Sequence, residues 1–386
     1  MPIHFRAARL LDADVDLRWA DGVVAVGPAG TIPPAPGDER VEGGLLTPPF
    51  AEPHVHLDAA LLGARAPNRS GTLREGIANW ARLRGDLTAE DVTARATETL
   101  AMYRSWGVLR VRTHVDTGSA VAVEALLALR DRTPGMQVVA FPQEGILRAP
   151  GRREAWESAV RAGCDAVGAI PHFERTTEEG WASVRLAFAL ARELGLRVDL
   201  HCDETDDPGS RNLEVVCAET AAGGVPHVLA GHCTAMHSYP DPYAAKVCEL
   251  VASSGVQVVA NPLDNVVLQG RYDGYPKRRG ITRVDQLWAA GAIVGVGHDS
   301  VMDPWYRLGT ANLLDAAYML VHVGHLTGEA EMKRVVRTLH TENHRPWGDV
   351  PEVAVGARAL LHWPAADEVE LLRVRPRPRV LEAGQA

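Results

Sequence analysis

Cysteine is sparse in this chain, aromatic residues are few, and no apolar run is long enough to cross a bilayer. The five cysteines (Cys164, Cys202, Cys217, Cys233 and Cys248) form an odd set with no C-x-x-C pair. That excludes a disulfide framework and suits reduced thiols, so the cytoplasm is the expected location. The segment Met1–Arg6 has no signal-peptide apolar core. Positive charge is not in excess: 40 Lys and Arg against 49 Asp and Glu give a formal net charge of -9. This balance offers no footprint for nucleic acid or an acidic membrane, and a small neutral molecule is the expected partner. No G-x-G-x-x-G opens a helix, so nothing supports a dinucleotide fold.

What is present suits a soluble α/β enzyme. A chain of 386 residues with 46% apolar and 23% charged content can build one large barrel with a small accessory domain. Residues 1–46 carry short apolar stretches at His4–Leu11, Val15–Trp19 and Val23–Val26, separated by turn residues. A second β-like, Pro-punctuated stretch runs from Ala359 to Leu381. Residues 1–46 and 345–386 are expected to combine into a small β-sandwich. Between them, over residues 47–344, short Val- and Ala-rich segments recur: Val108–His114, Gln137–Phe141, Ala166–Ile170, Arg197–His201, His227–Ala230, Val256–Ala260 and Ile293–Val296. The segment leading to His54 makes an eighth. Amphipathic stretches such as Val92–Trp106 and Glu179–Leu194 fill most intervals. Eight apolar strands alternating with helices predict a (β/α)8 TIM-like barrel.

In such a barrel the polar residues that end each strand share one mouth. The first strand ends in Glu52-Pro-His54-Val-His56-Leu-Asp58, the fifth in His201-Cys-Asp-Glu204, the sixth in Gly231-His232 and the eighth in Gly297-His298-Asp299. His54 and His56 are two apart and face the same way on an extended strand. With His201 and Asp299 they form a three-histidine, one-carboxylate set with a position left for water, as a hydrolytic metal ion requires. A single strand-terminal histidine more often has a structural role; convergence of four ligands on one mouth is what favours a metal. Glu204, three residues past His201, is placed to carry protons without ligating the ion. His232 is either a further ligand or the holder of the attacking water, and the second is preferred. Asp299 doubles as ligand and proton acceptor. His298 is expected to point away by strand alternation, His114 lines the site or braces a ligand, and Cys202 and Cys233 fill space.

Longer blocks carry a resemblance. Pro48–Asp58, Ser70-Gly-Thr-Leu-Arg-Glu-Gly-Ile77, Val111-Arg-Thr-His-Val-Asp116 and Val139-Ala-Phe-Pro-Gln-Glu-Gly-Ile146 are among them. So are Gly168–Glu174, Thr234–Tyr239, Leu268–Arg271, Tyr275–Arg283 and Asp303-Pro-Trp-Tyr306. Together, over roughly residues 44–325, they resemble the bacterial cytosine deaminase family of the amidohydrolase superfamily. The resemblance implies one iron(II) or zinc ion on His54, His56, His201 and Asp299. It implies Glu204 as proton carrier to the ring nitrogen beside the attacked carbon, and His232 and Asp299 orienting and deprotonating water. Gln143 would bind the ring amide edge, Trp305 would pack on the ring, and the product would be a deaminated pyrimidine with ammonia. A homo-oligomer is implied only by the same likeness.

The chain departs from that family at two places. Ser300 follows Asp299 where those enzymes carry a second aspartate, near carbon 5 of the pyrimidine. A smaller, uncharged side chain there leaves room for a substituent, and 5-methylcytosine is the first candidate. The rival is that Ser300 merely caps a helix. Val267 replaces a histidine, and the neighbouring Asp264-Asn265 is also unusual, at the mouth of strand seven. Competing readings are another deaminase (isoguanine, creatinine or a pathway-specific ring), a cyclic amidase, and an inactive barrel that only binds. No lysine stands near Ile170-Pro-His-Phe173 to bridge two metals, and no ligand is lost.

Overall fold

The computed structural model describes residues 1–384. Five short strands come first: β1 (Ile3–Leu10), β2 (Ala13–Trp19), β3 (Val23–Pro28), β4 (Glu39–Glu42) and β5 (Leu45–Thr47). Eight more follow at wider spacing: β6 (Phe50–Val55), β7 (Val108–Asp116), β8 (Met136–Phe141), β9 (Ala166–Ala169), β10 (Arg197–Cys202), β11 (Val228–His232), β12 (Gln257–Ala260) and β13 (Ile293–Val296). The last two are β14 (Ala359–Trp363) and β15 (Arg379–Glu382).

Strands β6 to β13 form one parallel sheet in chain order, curled into the expected barrel. Nearly every residue in them is buried on both faces, which is why they read as unbroken apolar runs. Helices cover the outside. The one at Ala89–Ser105 starts where the Thr88 hydroxyl accepts from the Asp91 amide, with Glu90 and Asp91 in its first turn. The one at Thr177–Leu194 starts on Thr176 and stops at Gly195, whose φ of 67° a side chain would strain.

Between the first and last barrel strands the contact is of another kind. Among the described residues only Val55 and Asp299 bridge there, with the Asp299 amide donating to the His54 carbonyl at 2.9 Å. Two side chains bind the rest of the seam. Asn343 donates to the carbonyls of Ala51 and Val296 at 2.8 Å each and accepts from the Val296 amide at 2.9 Å. Glu52 accepts from the His54 amide at 2.9 Å and the His298 amide at 3.0 Å.

The second sheet is mixed, in the order β15-β14-β5-β1-β2-β3, with β4 on the side of β1. The expected union of the two ends of the chain is the antiparallel β5–β14 pairing, which the Trp363 indole reinforces by donating to the Thr47 hydroxyl at 2.9 Å. Ile3, Phe5, Leu17, Leu46 and Leu360 fill its core. The C-terminal stretch is less uniformly β than its sequence predicts. A helix at Glu368–Val374, capped by Asp367, separates β14 from β15 and buries Leu371 and Leu372. All five cysteines are unpaired and buried. Among the described residues no helix is long and apolar enough to cross a membrane.

Replacing Asn343 with alanine removes three buried hydrogen bonds at the seam. The expected loss is about 2–4 kcal/mol of unfolding free energy, measured by denaturant titration.

Candidate active site

The barrel brings the strand-terminal residues to one mouth. His54 lies on β6 and His56 one residue past it, His201 on β10, His232 at the end of β11, and Asp299 three residues past β13. The Asp299 Oδ1 lies 3.7 Å from His54 Nε2 and 3.5 Å from His56 Nε2, and His56 Nε2 is 3.0 Å from His201 Nε2. Ligands about 2.1 Å from one ion at tetrahedral angles stand roughly 3.4 Å apart, so these edges match a single divalent cation. Both nitrogens of His54 and Nδ1 of His201 are buried with no hydrogen-bond partner. A cation supplies the partner that His54 Nε2, the nitrogen facing Asp299, lacks.

The electrostatics agree. Burial, reinforced by the neighbouring imidazoles, holds His54 and His201 well below the usual histidine range, and burial alone lowers His56 to about 3. These rings are neutral, the form that ligates metal. Burial pushes the Asp299 carboxyl well above its ordinary range, helped by Asp264, Glu204, Asp303 and Glu52. A bound cation reverses that push. His114 joins the cluster from β7, its ring 4.1 Å from that of His54, and its nitrogens also lack partners. His54, His114 and His201 form a second triad of donors that lie close enough together to hold an ion. Phe141 stacks on His201 at 3.9 Å and fixes its plane.

Backbone strain gathers here. His232 (φ 67°), Cys233 (φ 52°), Asp299 (φ 68°) and Asp203 (φ 51°) are left-handed without being glycine. Gly231 gives His54 its room, since an added Cβ would lie 3.0 Å from the His54 ring. The strained turns aim His232 and Asp299 at the cavity.

Glu204 is buried, and desolvation raises its carboxyl to about 8 against a hydrogen bond from Asn265. The Asn265 amide nitrogen lies 3.3 Å from Glu204 Oε1 and 3.1 Å from His232 Nδ1. Asn265 thus bridges Glu204 and His232, whose Nδ1 also lies 3.5 Å from Glu204 Oε1 and 3.9 Å from Asp299 Oδ2. Asn261 approaches His232 at 3.4 Å. Neither asparagine was assigned a role from sequence. The available signal was their spacing of four at the end of β12, which places both on one face of the short helix Pro262–Leu268.

The remaining sequence-derived residues also reach the cavity. Gln143, Ser300 and Trp305 line it together with His56, His201, Glu204, His232, Asp299 and Asp264, and Leu73 and Leu268 close its rim. The Ser300 hydroxyl donates to Asp264 Oδ2 at 2.5 Å, so it does not cap a helix. His298 points away as expected and accepts from the Thr310 amide at 3.2 Å. Cys202 and Cys233 are buried filler beside the site. Val267 is not part of the lining; its carbonyl accepts from Arg271 at 2.7 Å, and Leu268 faces the cavity instead.

Comparison with known proteins places this geometry. Residues 70–343 match the Amidohydrolase family. The chain belongs to that family. The amidohydrolase superfamily is metal-dependent, and this chain has a His/Asp group suited to a metal ion in His54, His56 and Asp299. It is 39% identical to a 5-methylcytosine deaminase from Klebsiella pneumoniae solved with 5-fluorocytosine, at a TM-score of 0.93 over 100% of this chain and 96% of that one. It is 28% identical over 370 residues to a pterin deaminase of Rhizobium rhizogenes, covering 91% of this chain and 82% of the relative. The N-isopropylammelide isopropylaminohydrolase of Burkholderia multivorans shares the fold, at a TM-score of 0.82 and 23% identity over 100% and 97% of the two chains.

Replacing His56 with alanine is expected to cut divalent metal affinity by more than tenfold, read by elemental analysis of the dialysed protein.

Proposed function

We propose that this amidohydrolase removes ammonia from a cytosine substituted at carbon 5, with 5-methylcytosine the leading candidate. The observation that carries the reading is Ser300: a small side chain in the cavity wall, its hydroxyl tied to Asp264, where related cytosine enzymes carry an aspartate. Burying a methyl group is worth about 0.8 kcal/mol, and relief of a clash adds to that. The Klebsiella relative supports the same substrate class.

Roles follow for the residues at the mouth. His54, His56, His201 and Asp299 would hold one divalent cation; borderline imidazole donors with one carboxylate suit zinc or iron(II). When bound, that cation supplies Lewis acidity and lets water act as a nucleophile near neutral pH. Asp299 takes a proton from the attacking water. His232, whose Nδ1 faces Asn265, Glu204 and Asp299, would orient the attacking water. Glu204, whose burial favours the protonated acid, delivers its proton to the ring nitrogen beside the attacked carbon; the amino group takes the proton that Asp299 removed from water and leaves as ammonia, and the remaining hydroxyl proton returns to Glu204 as the carbonyl forms. Gln143 binds the ring amide edge, offering a donor and an acceptor side by side. Trp305, within 6.2 Å of the His56 ring, covers the ring face.

Ammonia release from metal-loaded enzyme with cytosine, 5-methylcytosine, isoguanine and creatinine tests this. Turnover of 5-methylcytosine at least as efficient as that of cytosine is expected; cytosine turned over with 5-methylcytosine inert would refute it. Glu204→Gln is expected to lower kcat by about 10²–10⁴ with a smaller change in KM. The acid form of Glu204 disappears as pH rises through about 8, and a bound cation moves that point lower. Steady-state rates across pH are therefore expected to decline on an alkaline limb at or below that value.

A further inference from the structure

Asp264 has no role in the reaction described above, yet its position is costly. Its side chain is 2% exposed and faces a cavity that already holds the carboxyls of Glu204 and Asp299. Asp303 stands close by, and its charge acts on Asp264 as well. An unpaired carboxyl in such surroundings is destabilising unless something binds it. One of its oxygens is accounted for: Oδ2 accepts from the Ser300 hydroxyl at 2.5 Å. Oδ1 is buried and has no hydrogen-bond partner.

The two oxygens have different consequences for a ligand. By taking the Ser300 hydroxyl, Oδ2 ties the polar end of that side chain to the helix Pro262–Leu268, while Ser300 still lines the cavity. Without that acceptor the hydroxyl is free to rotate inward and meet a methyl group with a polar atom that has lost its water. Oδ1 is an acceptor in need of a donor. On a cytosine ring Gln143 answers the amide edge and Glu204 the ring nitrogen. The exocyclic amino group, adjacent to carbon 5, is the donor still unmatched, and it carries two hydrogens. We propose that Asp264 is a specificity-determining residue: it orients Ser300 so that the pocket accepts a 5-substituent, and it receives an N–H of the substrate's amino group. This rests on the deaminase reading given above and names a second recognition element for it.

The consequence is a coupling between two features that are chemically separate on the substrate. Removing the carboxylate should weaken selection for the amino group and for the methyl group together. Removing only the Ser300 hydroxyl should leave the methyl preference in place.

The test uses metal-loaded protein and two readouts. In the first, kcat/KM is measured for cytosine and 5-methylcytosine in the wild type, Asp264→Asn, Asp264→Ala and Ser300→Ala. Losing this buried hydrogen bond, with the amino group left unpaired, predicts a fall of about 5- to 100-fold on 5-methylcytosine in both Asp264 variants. Their preference for the methylated base is expected to drop several-fold, whereas Ser300→Ala keeps it. In the second, calorimetry on the Glu204→Gln protein compares binding of 5-methylcytosine with 5-methyl-2-pyrimidinone, which lacks the amino group. The wild-type Asp264 is expected to favour the amino compound about tenfold or more, and Asp264→Ala to abolish that difference. Asp264 variants that keep both the preference and the binding difference within twofold of wild type overturn the inference and leave the deaminase reading standing. A wild-type enzyme that neither deaminates nor binds either pyrimidine overturns both.

Discussion

Closure of the barrel between its first and last strands is the constraint on which the site depends. The ladder is continuous from β6 round to β13, but the seam is made by one backbone bridge and two side chains, Glu52 and Asn343. That bridge is also where the ligands meet: the amide of Asp299 donates to the carbonyl of His54. The same contact that shuts the sheet sets the separation between the carboxylate and the first imidazole pair. His201 then enters from β10, and the centre has donors from three separate parts of the chain.

The second feature is an electrostatic imbalance confined to one small volume. Imidazoles with their lone pairs unmet and carboxyls pushed toward protonation face each other across the mouth. Each is unfavourable alone, and together they are reconciled by a divalent positive charge. Ion binding to the native state alone adds stability by mass action, so fold and cofactor are linked thermodynamically. The left-handed turns at His232 and Asp299 belong to the same pattern, a local cost sustained by the rigid strands beneath.

Much of this is written locally in the chain. The eight barrel strands announce themselves as short Val- and Ala-rich runs that end in polar residues, and the observed limits differ from the expected ones by only a residue or two. His54 and His56 are legible from their spacing, and His201, His232 and Asp299 from their positions at strand ends. What local pattern does not carry is pairing at a distance. Nothing around Asn343 marks it as a seam residue, because its partners are backbone groups on two remote strands. Ser300 drew attention as a departure from a family pattern, but its tie to Asp264 depends on how the helix Pro262–Leu268 stacks on the loop after β13 at the mouth. The helix at Glu368–Val374 was missed because Pro-rich flanks dominate a short apolar segment, and its Asp367 cap is recognisable only once the turn is known.

The β5–β14 pairing has a kinetic side. Leu45–Thr47 waits for Ala359–Trp363 before the small sheet is complete, and β6 waits for Asn343 before the barrel seam is bound. A chain leaving the ribosome therefore exposes the open edge of β6 through most of its synthesis, and both sheets finish almost together. Such long-range closure is slow to form and leaves a sticky strand edge uncovered meanwhile. The demand on folding thus lies in the topology of the chain and not in its final stability.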